Sequence, residues 1–284
     1  MASAVPKYLV DPPSIDPYRY GLLSVADLVE DAGRWEVGGV EFDSDACAQG
    51  GYVRGMCAAR PGDHDKGHPE GLNTVEGPGP FAVYVRAECN AVGFPEAEPI
   101  ARSRMELVEP RVVEEFYARE VLGRLDTSQA ERPLGDRAVP LRYAVGFLEQ
   151  HASLRYGGRP VFHAPRWVAP FFPVRDLRED DLVQRNAPLG SRVAFGGGYF
   201  DDPFTLLPMG YPRSRVGGEL GWFWLFASGT VRVRRGEVRV YEVFDPPTNR
   251  KAAVAERPYS VETDCYLAAV RVDMSREVGF GVAS

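Results

Sequence analysis

Alternation with a period of two dominates the last quarter of the chain. Between Trp222 and Val272, Val231, Val233, Val238, Val240 and Val243 interleave with Arg232, Arg234, Arg239 and Glu242. Asp245-Pro246-Pro247-Thr248-Asn249 makes a turn, and Ala252 to Val261 runs back. The pattern predicts two long strands joined by a proline turn and followed by a short apolar strand, a ribbon half covered by protein and half exposed. Such a ribbon gains little from a core of its own. It points to a neighbouring subunit, and so to an assembly protein rather than a self-contained enzyme.

Upstream the pattern changes several times. Residues 1–20 hold Pro6, Pro12, Pro13 and Pro17 among tyrosines. Proline removes backbone donors and fixes an extended chain, so this stretch reads as an arm lying on something else. Ser24 to Ala32 predicts a short helix, with Ser24 and Asp27 at capping-box spacing. Arg34 to Phe42 reads as a strand pair or the start of a hairpin. From Asp43 to Pro80 glycine and proline interrupt any core period, so the segment is either disordered or an excursion ordered by a partner. Phe81 to Ala87 resumes as a strand, and the excursion is expected to leave and rejoin one sheet.

The clearest helical period lies between Glu96 and Leu125. Leu107, Val108, Val112 and Phe116, with Val113, Tyr117 and Val121, recur at three- and four-residue steps, and Pro110 is expected to kink or divide the helix. A polar linker, Asp126 to Arg137, leads to a helix near Leu141 to Tyr156 that stops at Gly157-Gly158. Arg159 to Pro165 reads as a buried strand, Trp167 to Gln184 as holding another helix, and Ser191 to Tyr199 as a strand ending in Gly196-Gly197-Gly198. The mixture is that of an α+β protein.

A chain of 284 residues suffices for one large or two small domains. Its net charge of −7 argues against nucleic-acid binding as the main activity, because neutralising phosphates takes clustered Lys and Arg. Lysine occurs only at Lys7, Lys66 and Lys251, against abundant arginine, which fits a GC-rich genome. Cys47, Cys57, Cys89 and Cys265 form no CxxC pair and are expected to be free thiols in a reducing cytoplasm, with Cys265 a small hydrophobe in an apolar strand. The N-terminus lacks an apolar signal core and no segment is long enough to span a bilayer, so cytoplasmic synthesis and assembly without a membrane are expected.

Candidate chemistry reduces to structural readings. Gly196-Gly197-Gly198 precedes Tyr-Phe-Asp-Asp-Pro and so marks a turn, not a dinucleotide cradle. His64 and His68 with Asp63 and Asp65 sit in a Gly/Pro loop without the spacing of a metal centre. His163 and His151 read as satisfied histidines, since no GxSxG elbow or evident nucleophile accompanies them. Glu114, Glu115 and Glu120, between Arg111 and Arg119, read as a solvated face with i,i+4 ion pairs. No catalytic, cofactor-binding or metal residue is therefore expected.

The order of elements carries a resemblance. A proline-rich arm, short helix, strand, long glycine-rich excursion, strand, amphipathic helix, small α/β layer, long hairpin and terminal apolar strand together resemble the major capsid protein of tailed bacteriophages, a fold shared with encapsulins. Arg159-Pro160-Val161-Phe162-His163-Ala164-Pro165, Val193-Ala194-Phe195-Gly196-Gly197-Gly198-Tyr199 and Ala255-Glu256-Arg257-Pro258-Tyr259 are similar to segments of actinobacterial phage head proteins. The resemblance implies an N-arm at residues 1–33 and an extended loop with flanking strands at 34–86. It implies a peripheral domain at 87–139 and 229–262, with a long spine helix and long β-hairpin, and an axial domain at 140–228 and 263–284.

It further implies a coat protein, not an enzyme, that self-assembles as pentamers, hexamers or both into an icosahedral shell around DNA, without cofactors. Its partners would be copies of itself in five- or sixfold rings, with a second capsid protein, scaffold, portal or decoration protein as further candidates. Contact with packaged DNA would be weak and non-specific. The site of action would be the virion capsid, assembled in the host bacterial cytoplasm. Inter-subunit contacts would fall on Tyr18, Tyr20, Trp35, Phe42 and Tyr52, on Lys66, and on the hairpin tip Pro246, Pro247, Thr248 and Asn249. Some members weld a loop lysine to a neighbour's asparagine. Lys66 and Asn249 are the residues such a bond would use, though a lysine in a polar loop needs no special role. The alternatives are an encapsulin-like compartment subunit and, in another class, a soluble α/β enzyme with its site near His163 or the Gly196 turn.

Overall fold

The computed structural model of the chain describes residues 14–44, 46–47, 73–90, 97–123, 131–173, 186–199, 222–245 and 250–274. In chain order its elements are α1 (Leu22–Val25), β1 (Asp27–Glu30), α2 (Trp35–Gly38), β2 (Glu41–Ser44), β3 (Asn73–Glu76), β4 (Phe81–Asn90), α3 (Ala97–Glu120), β5 (Val139–Pro140), α4 (Leu141–Arg155), β6 (Val161–Pro165), β7 (Arg192–Gly196), β8 (Trp222–Ser228), β9 (Val231–Arg235), β10 (Arg239–Asp245), β11 (Arg250–Thr263) and β12 (Leu267–Asp273).

The first sheet is organised by β11. Strand β4 runs antiparallel along one side of it, from Asn90 opposite Arg250 to Phe81 opposite Tyr259. On the other side β10 pairs with its first half and β9 with its second, and β1 adds in parallel to β9. Ala253 and Ala255 keep the middle of β11 thin, so α3 settles closely onto it. Ala101, Met105, Val113 and Tyr117 of α3 meet Val83, Val85 and Ala87 of β4 in one core. Phe81 stacks between Phe116 and Tyr259, with ring centroids 3.7 and 5.6 Å away. Each such side chain fully buried contributes on the order of 1.5–3 kcal/mol of transfer free energy.

The second sheet has the order β5-β12-β8-β6-β7. Its central strands are apolar without alternation because both faces are covered, the usual reason for such a run. Along β8, Phe223, Leu225 and Ala227 pack under α4, while Trp224 and Phe226 face the core of α3. A separate two-stranded ribbon, β2 with β3, pairs Phe42 with Val75 and brackets residues 45–72.

Several expectations hold. Strands appear at 81–90, 161–165 and 192–196, helices at 97–120 and 141–155, and a β10–β11 hairpin closes at Asp245 opposite Arg250. Others are corrected. The helix expected at Ser24–Ala32 is only Leu22–Val25, and the chain then extends so that Asp27–Glu30 can pair with Arg232–Arg235. Ladder hydrogen bonds to β9 outweigh a weak capping box. Trp35–Gly38 is a helical turn, and only Glu41–Ser44 of that segment is a strand.

The excursion rejoins its own ribbon at β3, while β4 belongs to the first sheet. Pro110 does not divide α3. The expected first long strand of the terminal ribbon breaks at Gly236–Val238 into β9 and β10. Of the helix expected in Trp167–Gln184, a 3-10 turn at Arg166–Val168 is described, and residues 174–185 lie outside the described ones. Part of the arm also lies on its own molecule: Leu22 and Val25 are buried in the α3 core.

Candidate functional site

Two chemical readings can be tested on the geometry: an internal reaction centre and a set of surfaces. The internal candidate is the region where α3 meets the second sheet. Glu114, expected on a solvated face, is 0% exposed. Its Oε1 accepts the Leu22 N–H at 3.0 Å, and its Oε2 accepts the Gly198 N–H at 3.0 Å and the Tyr18 hydroxyl at 2.6 Å. Burial pushes its carboxyl above the usual range, while the hydroxyl of Tyr18 and the backbone donors pull it back. Burial, with the neighbouring Glu114 charge, raises the Tyr18 hydroxyl. The Arg166 guanidinium lies 4.7 Å over the Tyr18 ring.

Three of these approaches need glycine. A Cβ on Gly198 would sit 2.6 Å from the Glu115 nitrogen, one on Gly196 would sit 2.9 Å from the Glu114 carboxyl carbon, and one on Gly21 would strike Glu114 Oε1. The glycine turn thus binds an anion, but the anion is the chain's own carboxylate. The expected solvated pairing holds for Glu115, which reaches Arg111 at 3.1 Å and Arg119 at 2.7 Å.

His163 is 1% exposed and lies beside this junction. The Ser228 hydroxyl donates to the Gly229 carbonyl, so its oxygen is left to accept from His163 Nε2–H at 2.8 Å. Nδ1 then accepts from the Tyr199 hydroxyl at 2.9 Å. Burial lowers the imidazole to about 3, so it stays neutral, with both nitrogens engaged. The cavity beside it, about 10 Å³ between Leu122, Trp224 and Phe226, holds at most one water. A larger cleft of about 390 Å³ is lined by Asp27, Arg159, Asn186, Arg192 and Thr230, and there Arg192 already bonds the Val25 carbonyl and Asp27. Among the described residues, the cleft lining holds no histidine, cysteine or serine.

The surfaces are better developed. In the β4–β11–β10 part of the first sheet, the face away from α3 lines up Tyr84, Glu256 and Arg239, then Arg86, Val254 and Tyr241, then Glu88, Ala252 and Val243. Tyr84 is 71% exposed and Tyr241 48%. The outward stripe of α4 carries Tyr143, 73% exposed, Phe147 and Leu154. Rings of this size on a single chain are contact material.

The ribbon β2–β3 is anchored at its Ser44 end, where the chain passes on to residue 45. Cys47 and Cys265 form a disulfide, with Cα atoms 6.1 Å apart, which corrects the expectation of free thiols at these positions. Sequence spacing could not reveal it, because 218 residues separate the two and only the fold brings them together. Ser44 bonds Asp264 in the same corner.

The candidate contact residues divide three ways. Tyr18 is bonded within the chain, and Tyr20, half-buried at φ 68°, offers its carbonyl to the Phe195 N–H at 2.7 Å. Trp35 is buried. Phe42 is half-buried in the ribbon, opposite Val75. Tyr52, Lys66, Pro246, Pro247, Thr248 and Asn249 lie outside the described residues, as do His64, His68, Asp63 and Asp65.

Glu109 and Glu114 were missed as interior residues, and a signal existed. Ala101, Met105, Glu109, Val113 and Tyr117 continue one four-residue ladder, so a glutamate on it had to face the core. Glu109 does, held by Arg235 and Arg257, each at 3.0 Å. Glu262 of β11 is likewise buried against Arg234 at 2.6 Å.

No protein-family model and no curated protein matches this chain. Solved structures do. The chain is similar to one in the capsid of a native GTA particle computed with C5 symmetry, at 11% identity and TM-score 0.53, covering 93% of this chain and 96% of that one. It is also similar to one in the capsid of an empty GTA particle computed with C5 symmetry, at 12% identity and TM-score 0.51, covering 93% and 100%. The α+β capsid-subunit fold expected from the sequence is the fold observed, over nearly the whole chain.

Proposed function

We propose that this chain is a structural coat subunit of a tailed-phage-type particle, assembling as pentamers, hexamers or both into an icosahedral shell around DNA. The observation that carries this reading is the fold shared with a GTA capsid chain over 93% of this chain, at a TM-score of 0.53. A fold by itself is weak warrant for function. Here the surfaces add to it: tyrosines stand exposed on one sheet face, and a two-stranded ribbon is fixed covalently to the body at the end that leads into residues 45–72.

In a closed ring each copy would present one patch to the next, a heterologous contact that closes by rotation. The ribbon with residues 45–72 would lie across the neighbour, and the β10–β11 tip at 246–249 would meet its symmetry mates. The net charge of −7 suits walls along which DNA slides without sticking. On this reading the particle forms in the bacterial cytoplasm and the chain has no catalytic task. The sealed His163 supports that, since both its nitrogens are engaged.

Expression of the full chain, alone and with its neighbouring head genes, followed by sedimentation and electron microscopy, tests the proposal. Closed shells with nuclease-protected DNA are expected. Shells that hold protein cargo and no DNA would favour the compartment alternative. A lasting monomer in both settings would defeat the assembly reading.

A further inference from the structure

The Cys47–Cys265 bond sits where a small chemical change would have a large mechanical effect. Cys47 follows the last residue of β2 by three positions, and Cys265 occupies the corner between β11 and β12. Both are half-buried against the core under α4. The same corner grips the ribbon without the bond. Ser44 donates to Asp264 and lies 3.7 Å from the Cys265 sulfur. Asp264 accepts the Tyr156 hydroxyl at 3.1 Å and the Cys265 N–H at 2.8 Å. These contacts do not depend on the sulfur–sulfur bond and would hold the two cysteines near each other as thiols, and their Cα separation of 6.1 Å is within the range a disulfide spans. Making or breaking it needs no rearrangement of the fold. Thiols persist in a reducing cytoplasm and are oxidised outside it.

We propose that Cys47 and Cys265 form a redox clasp on the β2–β3 ribbon, open as thiols while the chain folds and assembles, and closed as a disulfide once the protein reaches oxidising surroundings. The oxidant is a low-molecular-weight disulfide. One protein thiolate attacks it and expels one small thiol, and the second thiolate then attacks the mixed disulfide and expels the other. Two protein thiols and one small disulfide become one protein disulfide and two small thiols. Closing joins the ribbon covalently to the body, so the segment it carries works against a fixed base. The use of the clasp in a particle rests on the coat-protein reading, whereas the clasp itself does not.

The test uses the full chain. Cells are acid-quenched and alkylated, and purified reduced protein is then treated with oxidised glutathione. Alkylated Cys47 and Cys265 are expected in the quenched cells, and a peptide joining them after oxidation. Amide exchange at Glu41–Ser44 and Asn73–Glu76 should slow on the order of tenfold or more in the wild type, and not in Cys47→Ser. A bond already present in the quenched cells would overturn the switch. So would cysteines that stay alkylatable after oxidation, or a bond that leaves ribbon exchange unchanged. Sedimentation separates the two readings: a working clasp in a chain that stays monomeric both alone and with its neighbouring head genes sinks the coat-protein reading alone.

Discussion

Replacing Glu114 with glutamine alters the interior junction by one atom type and should change both the stability and its pH dependence. Glu114 uses Oε1 for the Leu22 N–H and Oε2 for the Gly198 N–H and the Tyr18 hydroxyl. The amide keeps one oxygen, which turns to the side with two donors, and its NH₂ then faces the Leu22 N–H. One buried donor loses its acceptor, at about 1–3 kcal/mol near neutral pH. Glu114→Ala strands all three donors and should cost about 3–5 kcal/mol, of the order measured when a buried charge loses its partners.

The pH dependence follows from two opposed groups. The folded state raises Glu114 above its ordinary 4.5, so between that value and the folded one the native chain binds more protons than the unfolded chain. Glu114 therefore makes the wild type more stable as pH falls through that window. His163 does the reverse. Its folded value of about 3 lies below the ordinary 6.5, so stability is full above 6.5 and is lost on acidification at up to about 1.4 kcal/mol per pH unit. In the wild type the two slopes partly cancel above pH 4.5. In Glu114→Gln only the histidine slope remains, so as pH falls through the range just above 4.5 the variant should lose stability more steeply than the wild type. Urea unfolding of the unassembled chain, followed by tryptophan fluorescence at several pH values, measures this. Equal slopes, or a shallower one in the variant, would refute the assignment of Glu114 as a raised carboxyl.

Two further outcomes bear on other parts of the molecule. Gly198→Ala places a Cβ 2.8 Å from the Glu114 Cβ and closer still to the Arg111 carbonyl oxygen, so α3 and β7 must separate; a loss of about 1–3 kcal/mol is expected in the same urea titration, and a neutral result would show that the approach is slack. Tyr84→Ser with Tyr241→Ser removes exposed rings from the outer sheet face, so unfolding of the single chain should shift by less than about 1 kcal/mol while the concentration needed for assembly rises tenfold or more, as light scattering would read; unchanged assembly would remove this face from the contacts.

What the sequence revealed and hid has a physical pattern. Strands whose neighbours lie on both faces were legible, because Trp222 to Ala227 leaves no polar position to misread. The spine helix was legible from its period, and the hairpin from its prolines. Elements decided by distant partners were hidden. Asp27–Glu30 is a strand only because β9 offers an edge, and the Arg234–Glu262 pair forms only once β9 lies against β11. A local reading therefore put charge on the surface that the fold places inside. The buried glutamates on α3 are the exception, since their phase on the helix was visible and the identity of the residue concealed it.

The distribution of satisfied groups separates the parts that need a partner from those that do not. The segment from Tyr18 to Glu30 has found its partners at home: Glu114 takes its donors, Arg192 takes the Val25 carbonyl at 2.7 Å, and β9 pairs its strand. It is a strap on its own body, although the proline-rich stretch just before it reads as an arm. The β10 end of the hairpin is different. Its outer edge has no strand partner among the described residues, and Tyr241, Val243 and Phe244 are all exposed there. An apolar edge of this kind invites uncontrolled pairing unless something covers it. Charged gatekeepers would be the protection in a monomer, and along Tyr241–Phe244 only Glu242 serves. On the coat-protein reading, this end of the hairpin is therefore where covering by a copy of the same molecule would stabilise the protein most.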